Sequence, residues 1–145
     1  MKPISPFIFT TDGHLRGAWA YMLTQSLQFR LPRAVPIPLE IHCGTVHISS
    51  VDKDVLTIHA GYAWDGCTCW PDSATNLLGS LPHDLGYQIG KHPQNPFTRE
   101  EIDGWLLDLL RLKHDPTPRT VWLGVRAMGW KFWKMPENLR VEAVS

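Results

Sequence analysis

No stretch of this chain is apolar for long enough to cross a membrane as a helix, which takes roughly 18 to 20 residues. The first residues, Met1-Lys2-Pro3-Ile4-Ser5-Pro6, carry no apolar signal-peptide core either. A surplus of one charge is also missing: 14 Lys and Arg stand against 14 Asp and Glu. No global field therefore draws the protein to nucleic acid or to a membrane surface, and there is no strong nucleic-acid signal. Cysteine is scarce. Cys43, Cys67 and Cys69 are an odd number, and the last two lie too close in an extended chain to pair comfortably. Free thiols in a reducing compartment are the expectation, in a soluble protein made in a cytoplasm. Internal repeats and low-complexity segments are absent as well.

What is present suits a folded domain. The chain has 145 residues, 43% of them apolar, enough for one domain with a real core. We expect a single α+β domain over residues 1–137 with a loose tail at 138–145. Seven tryptophans are many for this length. Some should be only partly buried, because the indole N–H needs a partner.

The first sixty residues read as strands. Phe7-Ile8-Phe9-Thr10 is short and β-prone, and Ser26 to Leu31 alternates until Pro32. Leu39 to Cys43 and Thr45 to Ser49 alternate on either side of Gly44. Val51 to Asp54 reads as a turn, and Val55 to Tyr62 as the last strand, delivering Asp65 at its end. The period then changes. Pro71 can open a short helix that Gly79 stops, and a second helix is expected from about Ser80 to Gly90, with Pro82 in its first turn. Thr98 with Glu101 forms a capping box, flanked by Phe97 and Ile102 at staple positions, for a helix to about Lys113. Thr117 with Pro118 should cap a fourth, running to about Lys134. The expected fold is α+β: an N-terminal antiparallel β-meander followed by three to four helices packed on one side.

The residues that can carry chemistry cluster between Gly61 and Asp103. Asp65 follows a strand in Trp64-Asp65-Gly66, where a turn aspartate bonding its own backbone is the plain alternative. Thr68 can donate to Asp65 or to a ligand, or cap a helix. His83-Asp84 offers an N and an O ligand to a divalent metal, or a base with its orienting acid. The same pair also reads as a crevice histidine beside an acid that favours the helix dipole. Asp103 lies beyond the capping positions, at the head of a stripe with Leu107 and Leu110. A carboxylate there needs a partner, because an unpaired buried charge is costly. His83, Arg126 or a metal would serve. Tyr87 is one helical turn from His83 and shares its face. Arg126 can bind phosphate or pair a buried acid; a snorkelling surface arginine is the alternative. Cys67-x-Cys69 lacks the gap and the second ligand pair of a zinc knuckle, and nothing supports Cys67 with His83 as a nucleophile pair. Trp130-Lys131-Phe132-Trp133-Lys134 is an aromatic and basic patch that suits stacking, protein contact or helix packing.

At these residues the chain resembles the domain of unknown function 1353 family of tailed bacteriophages and prophages. Gly61-Tyr62, Asp65-Gly66, Thr68 and Pro71 match its first motif, His83-Asp84 with Tyr87 its second, and Asp103 its third. The likeness covers roughly residues 20 to 134, with Thr68 where serine is usual. It implies a phage origin, with the protein in the host cytoplasm or the virion, and it implies no activity. The His-Asp dipeptide also resembles that of HD-type metal phosphohydrolases, but their upstream helical histidine has no counterpart here.

Two functional readings follow. In one, Asp65, His83, Asp84 and Asp103 bind one divalent metal ion and form the catalytic site of a small hydrolase. Thr68, Tyr87 and Arg126 would orient a phosphoester or a cell-wall bond. In the other, the same cluster is a buried structural network in a non-enzymatic virion or accessory protein. Its partners would be other phage virion proteins or a host protein.

Overall fold

Alternating sequence becomes half-buried strand at Leu27–Arg30, Leu39–Cys43 and Val46–Ser50. A computed structural model describes residues 1–10, 21–64, 66 and 73–133. The chain divides into two compact units, one carrying the strands and the other the helices. Antiparallel sheets precede helices, so the class is α+β.

Among the described residues the strand unit has eight strands: β1 (Lys2–Pro3), β2 (Phe9–Thr10), β3 (Tyr21–Leu23), β4 (Leu27–Arg30), β5 (Leu39–Cys43), β6 (Val46–Ser50), β7 (Val55–Ile58) and β8 (Ala63–Trp64). Five form one sheet in the order β1-β4-β7-β6-β5, and three form a second in the order β2-β3-β8. Strands β5, β6 and β7 are the expected meander, with Gly44 at φ 57° in the β5–β6 turn. Strand β4 pairs with β7 rather than with its sequence neighbour β5. Leu27, Phe29, Ile41, Ile48, Leu56 and Ile58 from these strands are all essentially inaccessible to solvent. Their polar neighbours face outward, as the period of two requires.

The expected last strand from Val55 to Tyr62 ends at Ile58 as β7, and β8 starts beyond it, at Ala63, in the other sheet. Gly61, at φ +97°, turns the chain between them. Its N–H bonds the Leu23 carbonyl at 2.7 Å, and Leu23 N–H bonds the Tyr62 carbonyl at 2.8 Å. Trp64 is fully buried, its ring 5.4 Å from Tyr21 and about 6 Å from both Phe7 and Phe9.

The helical unit contains α1 (Leu77–Gln88), α2 (Arg99–Leu112) and α3 (Pro118–Met128), followed by a 3₁₀ turn at Gly129–Phe132. Of the short helix expected from Pro71, residues 71 and 72 lie outside the described residues and 73–76 are not helical, while Leu77 and Leu78 join the second expected helix. Helix α1 continues through Gly79 and holds Pro82 at its sixth position. Proline there forfeits a single backbone bond, to the Leu78 carbonyl. Gly79 lies where the helices approach: a Cβ would meet Leu106 Cδ1 at 3.0 Å.

Helix α2 starts as its capping box specifies, with Thr98 Oγ1 accepting from Glu101 N–H and Glu101 bonding back to Thr98 N–H. Helix α3 starts where expected, with Thr117 at its N-cap position and Pro118 first in the helix, and departs from expectation at its other end. Thr117 makes no side-chain cap; Asp115 Oδ1 instead accepts its N–H at 2.9 Å. The helix stops at Met128 rather than near Lys134. The Arg126 carbonyl, which a continuing helix would offer to residue 130, takes bonds from both terminal nitrogens of Arg99 at 3.3 Å. Leu106 and Leu110 of α2 pack on Val121 and Val125 of α3.

Gly86 sets the α1–α2 approach, because a Cβ there would sit 2.6 to 2.9 Å from three atoms of Ile102, which is stiff at χ1. Gly104, on α2, has nothing within 4 Å of an added Cβ. In urea unfolding, Gly86→Ala should lose about 1–3 kcal/mol from overpacking. Gly104→Ala should gain about 0.4–1 kcal/mol from a stiffer unfolded chain.

Candidate functional site

Three helices converge on one carboxylate. Helix α1 supplies His83 and Tyr87, four residues apart, with ring centroids 4.4 Å from each other. Helix α2 supplies Arg99 and Asp103, again four apart, and α3 supplies Arg126 near its end. Asp103 is fully buried. Its Oδ1 accepts from His83 Nε2 at 2.9 Å and from the Tyr87 hydroxyl at 2.6 Å. Its Oδ2 accepts from Arg126 Nη1 at 2.8 Å, and Arg99 Nη1 forms an ion pair with it at 3.6 Å.

Arg99 has a second task. From the start of α2 it donates to the Val125 carbonyl at 3.2 Å, to that of Arg126, and to the Tyr87 hydroxyl at 3.4 Å. One guanidinium thus ties α1, α2 and the C-terminal end of α3, where a cation also suits the helix dipole. Gly129 completes the arrangement: a Cβ there would collide with the Tyr87 hydroxyl and lie 3.1 Å from Arg99 Nη1.

The electrostatics follow from these contacts. Burial alone would raise the Asp103 pKa. The hydrogen bonds from His83, Tyr87 and Arg126 outweigh it and hold the carboxyl below its usual range. Tyr87 moves the other way. Burial, and then its bond to Asp103, push the phenol well above its ordinary value. An ionised Asp103 only accepts, so His83 Nε2 carries a proton toward it, and whenever the ring is neutral its lone pair sits on Nδ1. Nδ1 has no hydrogen-bond partner among the described residues, and the side chain is 11% exposed.

Of the residues singled out from the sequence, the structure brings His83, Tyr87, Asp103 and Arg126 together. Asp84 is partly buried on α1 and is not among the groups bonded to Asp103. Asp65 and Thr68, with Cys67 and Cys69, lie outside the described residues, as does the tail at 138–145. Arg99 is the participant that residue-by-residue reading missed. Its signal was the four-residue spacing to Asp103 on a helix whose start was already clear.

The donor set does not suit a metal at Asp103 and His83. Both oxygens of Asp103 are taken, two guanidiniums stand beside them, and the Nε2 of His83 faces the same carboxylate. Among the described residues no group of three His, Cys, Asp or Glu side chains is arranged to hold a metal ion.

No family model, curated protein or solved structure matches this chain.

Removing the charge of Asp103 leaves two guanidiniums without their counter-ion. Asp103→Asn should cost about 3 kcal/mol in denaturant unfolding at pH 7, and Tyr87→Phe about 1–2 kcal/mol. Because the Asp103 pKa is depressed, its contribution is present above the usual value of 3.8 and is lost as the pH falls below that. The gap between wild type and Asp103→Asn should therefore narrow from pH 5 to pH 2.

Proposed function

We propose that this chain is a non-enzymatic accessory or virion protein of a tailed phage, and that the Asp103 cluster is a structural clamp on three helices. One observation carries the reading: the carboxylate is saturated by donors from α1, α2 and α3, with no open position for a ligand. A satisfied buried network rigidifies a fold without any catalytic task. The phage setting rests on the spacing of Gly61-Tyr62, Asp65-Gly66, His83-Asp84 and Asp103 in the sequence. Leu123, Met128, Trp130 and Phe132, on α3 and the turn after it, are 47–63% exposed. They support contact with another virion protein or a host protein.

A second reading is favoured by the Nδ1 of His83. A buried acid on one ring nitrogen with the other unbonded is the arrangement of a base and its orienter. In a hydrolase of a phosphoester or cell-wall bond, His83 would take the proton of an attacking water at Nδ1. Asp103 would fix the tautomer, and Arg126 would act through Asp103 rather than on substrate.

The two readings separate in one experiment. Melting curves of wild type and Asp103→Asn are recorded with Mg2+ or Mn2+, beside hydrolysis of a chromogenic phosphodiester. The clamp predicts no metal-dependent shift in either protein and no hydrolysis. A saturable rise in melting temperature that Asp103→Asn abolishes, or hydrolysis that His83→Ala abolishes, would overturn it.

A further inference from the structure

The strand unit carries a row of histidines that the clamp does not use. On the outward face of the five-stranded sheet, His42 of β5 stands opposite His47 of β6. The His47 carbonyl accepts from His59 N–H at 2.9 Å, placing His59 on the other side of His47, just past β7. The carbonyl and N–H of an antiparallel residue point the same way, so His47 bonds toward β7. Toward β5 it therefore forms the non-hydrogen-bonded kind of pair, in which side chains come closest. The three rings stack as a ladder. Centroids are 4.5 Å apart at 17° between His42 and His47, and 3.9 Å apart at 15° between His47 and His59. The next row anchors them: Glu40 Oε1 lies 3.1 Å from His47 Nε2, and Ser49 Oγ lies 2.8 Å from His59 Nε2.

Near-parallel rings send their lone pairs side by side rather than to a common point, so this ladder is not a chelate. It is an arrangement that tolerates little charge. Two imidazoliums face to face repel, and like charges directly opposite one another weaken a strand pair. One carboxylate, Glu40, is at hand to balance one proton. The other charged groups on this face among the described residues are Lys2 and Arg30, on β1 and β4, with Asp54 ion-paired to Arg30 at 2.7 Å. Strand β7 adds only Val55 and Thr57.

Among the described residues, strand β5 is the terminal strand of the sheet and pairs with β6 alone. We propose that the His42–His47–His59 ladder is a pH-sensitive latch that holds the terminal strand β5 in place while its rings are neutral and releases it on acidification. The His59 pKa shows that the row resists charge: burial and then His47 lower it, Glu40 pulls the other way, and His42 lowers it least. Release of β5 parts His42 from the facing His47, so two charged rings repel less in the open state, which binds protons more readily, and the closed state loses stability as the pH falls.

Cys43, at the end of β5, is buried, and the reactivity of its thiol reports the release. The test uses the full chain with Cys67→Ser and Cys69→Ser, and a pyridyl disulfide reagent that reacts in acid. The rate at each pH is divided by the rate in denaturant at that pH. The latch predicts that normalised Cys43 reactivity rises between pH 7 and pH 5, by up to about tenfold per pH unit for each proton involved. His47→Gln and His59→Gln, which keep a polar side chain without a titration, should flatten the rise. Amide exchange in β5 should quicken while that in α2 does not. Unchanged reactivity from pH 7 to pH 5, an equal rise in both glutamine variants, or exchange in α2 that quickens in step with β5 would each overturn the proposal.

Discussion

A buried carboxylate is the most demanding group in the helical unit. Desolvating an ionised Asp costs several kcal/mol, and only close donors return it. Asp103 obtains them from three helices at once, so the unit closes correctly only when α1, α2 and α3 are all in register. Apolar packing at Leu106, Leu110, Val121 and Val125 is less discriminating, because such a cluster tolerates small sliding. The charge network does not tolerate it. Arg99 sharpens the constraint, since the same guanidinium that neighbours Asp103 also holds the last carbonyls of α3.

The features around Asp103 follow from that requirement. Gly129 has no side chain because the Tyr87 hydroxyl fills the space where one would be. Gly86 has none because α1 must come close to Ile102 for His83 and Tyr87 to reach Asp103. The network is also what weighs against a metal at this point: a carboxylate that has accepted from His83, Tyr87 and Arg126 has little left to offer a cation. The strand unit is organised differently. Among the described residues, the inner face of its five-stranded sheet is apolar apart from Ser50, whose hydroxyl bonds the Asp52 and Val55 carbonyls, and the Lys, Arg, Glu and His side chains of those strands lie on the outer face.

Much of this was legible in the chain. The alternation over Leu39–Cys43 and Val46–Ser50, the Gly44 turn and the capping box at Thr98 are local signals, and local signals survive folding. The demand that Asp103 find His83 or Arg126 was legible too, because it follows from burial cost alone. Other features were not. Gly79 and Pro82 read as helix punctuation, yet α1 runs through both, because packing on α2 outweighs one lost backbone bond. Val55 to Tyr62 read as one strand, yet β7 ends at Ile58 and Gly61 turns the chain into a second sheet. Helix α3 ends six residues before its expected end, at a stop written in Arg99, far away in the chain.

The sequence by itself determined the class of fold, the start of α2 and the need for a polar cluster at Asp103. Each depends on neighbours within a few residues or on the cost of a single buried charge. Tertiary structure alone decided that β4 joins β7, that Arg99 serves two helices, and that His42, His47 and His59 stack into one row. Those outcomes depend on distances between residues far apart in the chain, which no local period encodes.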